Sequence, residues 1–257
     1  LNTGAGRFQE AAFQAGVAST DWTWSTLFGD LDADGRLDLF CTNGIARFDM
    51  NPDIEAQIRD LWAQGKERDA IALIQNVPSV PEKNLALRND GDLKFVKTGA
   101  DWGLDLSSVS HGAVLCDLDR DGDLDVIVNN FNEPAAVFEN VGPNGHAVEI
   151  ELRGAGSNTY GLGARVEIET DRSVQVRELW SSRGYLSGQE PRLHFGLGEA
   201  NLPLRRVTVH WPSGRTQSFA NQPIDHLLTI TEDPTLAPQP AAVLPLDWKR
   251  WASPQWC

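Results

Sequence analysis

The chain has 257 residues, with 36 acidic against 22 basic side chains and a formal net charge of -14. That balance argues against nucleic acid or an anionic membrane surface as a direct partner, because both are bound through clustered Lys and Arg. Hydrophobic residues make up 41%, enough for one large or two ordinary domains, yet no apolar run approaches the roughly 20 residues of a membrane-spanning helix.

The chain opens at Leu1 rather than Met and reads as the C-terminal part of a longer protein. Its first feature is one half of a repeat. Asn2, Gly4, Phe8 and Gly16 recur as Asn89, Gly91, Phe95 and Gly103, at the same offset of 87 residues that carries Asp30 onto Asp117. Asn43 falls on Asn130 in the same register, and no gap is needed. Each unit runs from a turn (NTGAGRF, NDGDLKF) to a strand (TWSTLFG, HGAVLC), an acidic loop and a second strand (LDLFCTN, LDVIVNN). A third unit starts at VFENVG, with Asn140 and Gly142, and then stops repeating.

The acidic loops are DLDADGRLD from Asp30 and DLDRDGDLD from Asp117. A turn at Gly35 or Gly122 can gather side chains 1, 3, 5 and 9 around one cation, with the backbone carbonyl of residue 7. The candidate ligands are therefore Asp30, Asp32, Asp34, Arg36 and Asp38, then Asp117, Asp119, Asp121, Asp123 and Asp125. Arg36 and Asp123 would contribute only their carbonyls. Oxygen donors without His or Cys favour Ca²⁺ or Mg²⁺, and six or seven flexible ligands suit Ca²⁺. Two such ions would move the formal charge to about -10. An EF-hand needs an acid at position 12 and flanking helices; position 12 is Cys41 or Val128, and the flanks read as strands.

Between the units lies the helical stretch of the chain, an insertion at about 51–77. PDIEAQIRDLWAQ places Ile54, Ile58, Leu61 and Trp62 on one face, and KERDAIALIQNV does the same with Ala70, Ile71, Leu73 and Ile74 after a break at Gly65. From about Asn144 six alternating segments follow: HAVEIELRG, ARVEIET, QVRELWSS, RLHFGLG, RRVTVHW and HLLTITE. They predict a small antiparallel β domain over 143–233, after a first domain over 1–142. Residues 234–257 carry five Pro and read as a tail or linker.

No catalytic constellation is recognisable. His111, His146, His194, His210 and His226 lack metal-ligand spacing and read as strand-face or turn residues, and Ser187 lacks a nucleophile-elbow pattern. Trp22 and Trp24 are expected to share a strand face and Trp211 to sit in a W-P-S-G turn; with Trp102 they could alternatively line a sugar-binding face. Cys41, Cys116 and Cys257 form no C-x-x-C pair, and the first two read as small buried strand residues.

FGDLDADGRLDLF and LCDLDRDGDLDVIV resemble the FG-GAP or VCBS repeat of integrin-type β-propellers, although the second copy has Leu115-Cys116 where the first has Phe28-Gly29. SNTYGLGARVEIET, RGYLSGQEPRLHFGLG and VTVHWPSGRTQSF resemble the UnbV/ASPIC domain that follows such repeats in the cartilage acidic protein-like family. The resemblance implies an all-β fold: a partial β-propeller of FG-GAP/VCBS blades with a helical-hairpin insertion, followed by the small β domain. It implies a non-enzymatic, calcium-binding protein that is extracellular, at the cell surface or periplasmic, with an unidentified protein or glycan ligand. The alternative is a carbohydrate-binding or carbohydrate-active propeller, a lectin or a polysaccharide lyase using Ca²⁺ directly, which would require an exposed cation position and a basic residue nearby such as Arg36 or Arg120. Two repeats leave a sheet edge open, so the chain is expected to be less stable than a longer one and prone to associate.

Overall fold

In the computed structural model, residues 7–47, 51–142, 145–199 and 203–239 are described. The elements in chain order are α1 (Ala12–Ala15), β1 (Thr23–Gly29), β2 (Asp38–Asn43), α2 (Pro52–Ala63), α3 (Glu67–Asn76), β3 (Glu82–Lys83), β4 (Leu85–Asn89), β5 (Phe95–Lys97), β6 (Ser107–Ser108), β7 (Ser110–Cys116), β8 (Asp125–Asn130) and β9 (Ala136–Phe138). β10 (His146–Arg153), β11 (Arg165–Glu169), β12 (Val174–Glu178), β13 (Arg192–Gly198), β14 (Leu204–His210), β15 (Thr216–Gln222) and β16 (Leu227–Thr231) complete the described chain. The fold is mostly β, in several sheets, with no closed barrel among the described residues.

Both acidic loops join antiparallel strands, as their flanks predict. β1 and β2 form a four-stranded sheet in the order β1-β2-β4-β5, and β7, β8 and β9 form a three-stranded one. The 87-residue offset survives in three dimensions down to the irregularities. Each hairpin carries a register shift, between Thr23 and Thr26 in one and between Ser110 and Ala113 in the other. At that shift the Thr23 hydroxyl donates to Asn43 Oδ1 at 2.7 Å, and the Ser110 hydroxyl to Asn130 Oδ1 at 2.8 Å.

The two sheets stack. Leu27, Phe40 and Ala86 lie in register across the first sheet and share one buried core with Ala113, Leu115, Val126 and Val128 of the second. The repeat unit and the sheet are not coextensive. The Asn89–Gly91 turn, which opens the second unit in sequence, connects β4 to β5 within the first sheet.

The inserted hairpin forms where its periodicity places it. The Asn51 side chain accepts from the Asp53 amide at 2.9 Å, Pro52 occupies the first turn, and Gly65 takes a left-handed φ of 71° between the helices. α2 buries no residue and α3 only Ala70, so the pair lies outside both cores. Cys41 and Cys116 are free thiols, the first buried.

After residue 145 the strands build two layers, β13-β10-β16 and β12-β11-β14-β15. Their inner faces enclose a core that includes Ile150, Val166, Ile168, Phe195, Val207 and Trp211. Two features differ from the sequence expectation. Thr216–Gln222 forms a seventh strand, at the edge of its sheet and with no fully buried residue, so its TQSFANQ composition carries no clean apolar alternation. The pairing of β10 with β16 is parallel, so the domain is not wholly antiparallel; β16 returns from the far layer to lie beside the first strand. The N-terminal turn at 2–6, Cys257 and most of the Pro-rich tail lie outside the described residues.

Candidate metal centre

Each acidic loop folds by the same local chemistry. Positions 4 and 6 are left-handed: Ala33 and Gly35 have φ of 53° and 94°, Arg120 and Gly122 of 67° and 99°. Two such residues in quick succession curl the backbone into a cup whose amides point inward. The first carboxylate caps the cup: Asp30 Oδ2 accepts from Gly35 N at 2.9 Å, and Asp117 Oδ2 from Gly122 N at 3.1 Å. The ninth closes it, with Asp38 Oδ2 accepting from Leu31 N at 2.9 Å and Asp125 Oδ2 from Leu118 N at 2.8 Å.

The N-x-G turns lock these cups from outside. Asn89 N donates to Asp38 Oδ1 and Asn140 N to Asp125 Oδ1, both at 2.8 Å. Their amide groups reach the Leu37 and Leu124 carbonyls, and Asn140 also bridges to the Leu31 carbonyl of the other loop at 2.8 Å. The repeated Asn therefore orients the ninth carboxylate of the sheet it belongs to.

The result is two carboxylate triads. Asp30, Asp32 and Asp38 each offer one oxygen within 4.8 Å of the others, and so do Asp117, Asp119 and Asp125. The predicted fifth-position ligands stand outside the triads. Asp34 accepts from Arg36 N at 2.8 Å and pairs with the Arg36 guanidinium, and Asp121 Oδ1 accepts from Asp123 N at 3.1 Å. Arg36 is further held by the Asn89 carbonyl at 2.7 Å.

The first triad is electrostatically frustrated. Asp30 and Asp38 are buried, and Asp30 Oδ1 and Asp32 Oδ1 are enclosed without a hydrogen-bond partner. Burial, with Asp34 and Asp38 nearby, pushes Asp30 up to about 8 despite the opposing charge of Arg177. Burial pushes Asp38 up to about 7 against the Asn89 and Leu31 amides. Enclosed, unpartnered carboxylate oxygens converging on one point fit a hard cation, which supplies the missing positive charge.

Sequence reading missed the element that covers the loops. In β13, RLHFGLG, Leu193, Phe195 and Leu197 face the core of the C-terminal layers, while His194, Gly196 and Gly198 face the acidic loops. His194 Nε2 lies 2.9 Å from the Gly122 carbonyl, and Gly198 N donates to the Ala33 carbonyl at 2.7 Å. A Cβ on Gly196 would stand 2.2 Å from Asp30 Oδ2 and 2.6 Å from the Ala33 backbone. The signal was present as two glycines in alternate strand positions, which mark close approach by another backbone.

His194 is half-buried with its ring enclosed against the second loop, and that desolvation lowers its pKa to about 4. The neutral ring donates its Nε2 proton to the carbonyl, so protonation must be added against the desolvation cost. A histidine in the unfolded chain titrates near 6.5; between about 6.5 and 4 the unfolded state binds more protons, and stability falls as pH falls. The expected loss is about 2–3 kcal/mol by about pH 4.5. Urea unfolding at neutral and acid pH, compared with a His194→Gln variant that keeps a donor but cannot titrate, should show that increment only in the wild type.

The other candidates are dispersed. His111 packs against Trp24 with ring centres 4.4 Å apart, and Trp24 against Tyr185 at 4.7 Å, both pairs tilted. His146 contacts Asp225 at 2.7 Å. Trp211 is buried in the C-terminal core and Trp102 packs against the stacked sheets. Trp22 does not share the β1 face with Trp24: it precedes the strand and is 38% exposed. Trp22, Trp24, Trp102 and Trp211 thus do not line one common face.

Residues 154–237 match the family described as ASPIC and UnbV. Over a longer stretch the chain is similar to cartilage acidic protein 1. The mouse (Mus musculus) protein is 29% identical over 150 residues, covering 56% of this chain and 23% of that protein. The human protein is 31% identical over 136 residues (51% and 20%), and that of Xenopus tropicalis 32% over 135 residues (49% and 20%). The chain thus spans about a fifth of the length of these relatives.

Proposed function

We propose that this chain is a non-enzymatic, calcium-binding module of an extracellular protein, whose task is adhesion or ligand binding. In this reading the two stacked sheets are FG-GAP/VCBS-type propeller blades, and the C-terminal layers are an UnbV/ASPIC domain clamped onto their ion loops. The carrying observation is the pair of repeat-related carboxylate triads, one with enclosed oxygens that have no partner. All-oxygen donors in a flexible loop select Ca²⁺, and loops without a twelfth-position acid suit the high calcium level outside cells. Similarity to proteins named for cartilage supports the same setting. No helix among the described residues is long and apolar enough to cross a membrane.

Calcium would be a structural ion here. Asp30, Asp32 and Asp38, and Asp117, Asp119 and Asp125, would hold it, with Asp34, Asp121 and the carbonyls of Arg36 and Asp123 available to complete each shell. The ion would offset most of the negative charge of each triad and fix the cup against which β13 lies. Isothermal titration with Ca²⁺ should give two equivalents for the wild type. Asp30→Asn and Asp117→Asn should each leave one; absence of binding at millimolar Ca²⁺ would reject the proposal.

A further inference from the structure

The two acidic loops repeat each other, yet the C-terminal layers meet them with different charges. Over their nine positions the first loop carries four carboxylates and Arg36, the second five and Arg120. In the first, the position-7 guanidinium pairs with Asp34 and offsets the fifth-position charge. In the second, position 7 is the buried Asp123, and Arg120 stands exposed at position 4.

The contrast sharpens beyond the loops. Arg177 on β12 supplies an opposing charge at Asp30, and Asp30 one at Arg177; both line the same small cavity. The guanidinium is fixed from its own domain. Nη1 donates to the Val176 carbonyl at 3.2 Å, Nη2 to Gln175 Oε1 at 3.1 Å, and Cζ lies 5.3 Å from the Phe195 ring centre. Gln175 is itself tied to the Gly196 carbonyl at 2.6 Å, and Arg177 Nε is enclosed. So held, Arg177 has no room to swing away from a cation beside Asp30. The second loop meets a carboxylate instead. Asp117 acts on Glu149 of β10, which pairs with Arg192 at 3.4 Å, and Glu190 shares that guanidinium at 3.1 Å. A fixed positive charge beside a ligand lowers cation affinity, and an added carboxylate raises it.

We propose that Arg177 holds the calcium affinity of the first loop below that of the second, so that the second loop fills first. The inference rests on the calcium reading above and adds to it an order of filling and the residue that sets it. Arg177 belongs to the C-terminal layers, so the loop that fills last is the one whose affinity that domain controls.

Calcium titration calorimetry on single-loop variants of the full chain tests it. Asp117→Asn reports the first loop and Asp30→Asn the second, and the second should bind about tenfold more tightly. In the Asp117→Asn background, Arg177→Met keeps an apolar stem over Phe195 and should recover most of that difference. Arg177→Lys keeps the charge and should recover little. In the Asp30→Asn background, Arg177→Met should leave the second constant unchanged, which also shows that the variant is folded. Equal constants, a tighter first loop, or a first loop indifferent to Arg177→Met would overturn the inference and leave the calcium reading intact. The comparison of the two Asp variants keeps Arg177 in place, so it decides the order of filling whatever Arg177→Met does to folding. No binding by the wild type or either Asp variant would reject the calcium reading itself, and this inference with it.

Discussion

On the proposed function, chelation of calcium with EGTA is expected to lower the thermal unfolding midpoint by about 10–20 °C relative to about 10 mM Ca²⁺. The size follows from linkage. Extracellular calcium modules bind with dissociation constants near 10⁻⁴ M, and a site filled at one hundred times its dissociation constant contributes about 2.7 kcal/mol. Two sites contribute about 5 kcal/mol, and each kcal/mol moves the midpoint of a chain this size by about 2–4 °C. Loss of the ion also returns Asp30 and Asp38 to enclosed sites whose pKa values stand near 8 and 7. Differential scanning calorimetry with and without EGTA reads the shift directly, and Mg²⁺ at equal concentration should restore little of it, because Mg²⁺ resists an irregular, partly dehydrated shell.

Gly196→Ala is expected to be severely damaging and to act on one loop selectively. The added methyl would stand 2.2 Å from Asp30 Oδ2 and 2.6 Å from Ala33 backbone atoms, and backbone cannot yield as a side-chain end can. Strand β13 is held on its other face by Phe195 and Leu197 in a closed core, so it cannot retreat either. Overpacking of this kind costs about 1–3 kcal/mol, and the displaced partner here is a ligand-bearing loop. The variant should therefore lose about 3 kcal/mol in urea unfolding and, in calcium titration, the first site alone. The second loop meets β13 at His194 and not at Gly196, so its binding should survive. Loss of both sites together would mean that the substitution unfolds the chain rather than blocking one loop.

Local order was legible in the sequence because it is written locally. The 87-residue offset exposed the duplicated hairpins, loop spacing named the converging carboxylates, and Pro52 opened the helical hairpin that Gly65 divides. These signals act over a few residues, through turn conformation, capping and side-chain alternation. What the spacing could not show was competition inside the loop: Asp34 and Asp121 lie at ligand spacing, but each is also two residues from an amide that it can cap. Long-range covering was still less visible. Gly198 and Ala33 are far apart in sequence, and no periodicity links them. Only the glycines of RLHFGLG, opposite a Leu-Phe-Leu core face, hinted that another backbone passes close by. The parallel return of β16 to β10 was hidden for the same reason, since strand direction leaves no trace in alternation.

On the proposed function, ions in the two loops would also fasten the C-terminal layers, through β13. Amide hydrogen exchange with and without Ca²⁺ tests it most directly, at three reporters: Gly35 N on Asp30, Gly122 N on Asp117, and Gly198 N on the Ala33 carbonyl. The expected result is that Ca²⁺ slows exchange at all three, Gly198 included. Protection of Gly35 and Gly122 with Gly198 unchanged would contradict the coupling, and no change at any of the three would contradict ion binding in the loops.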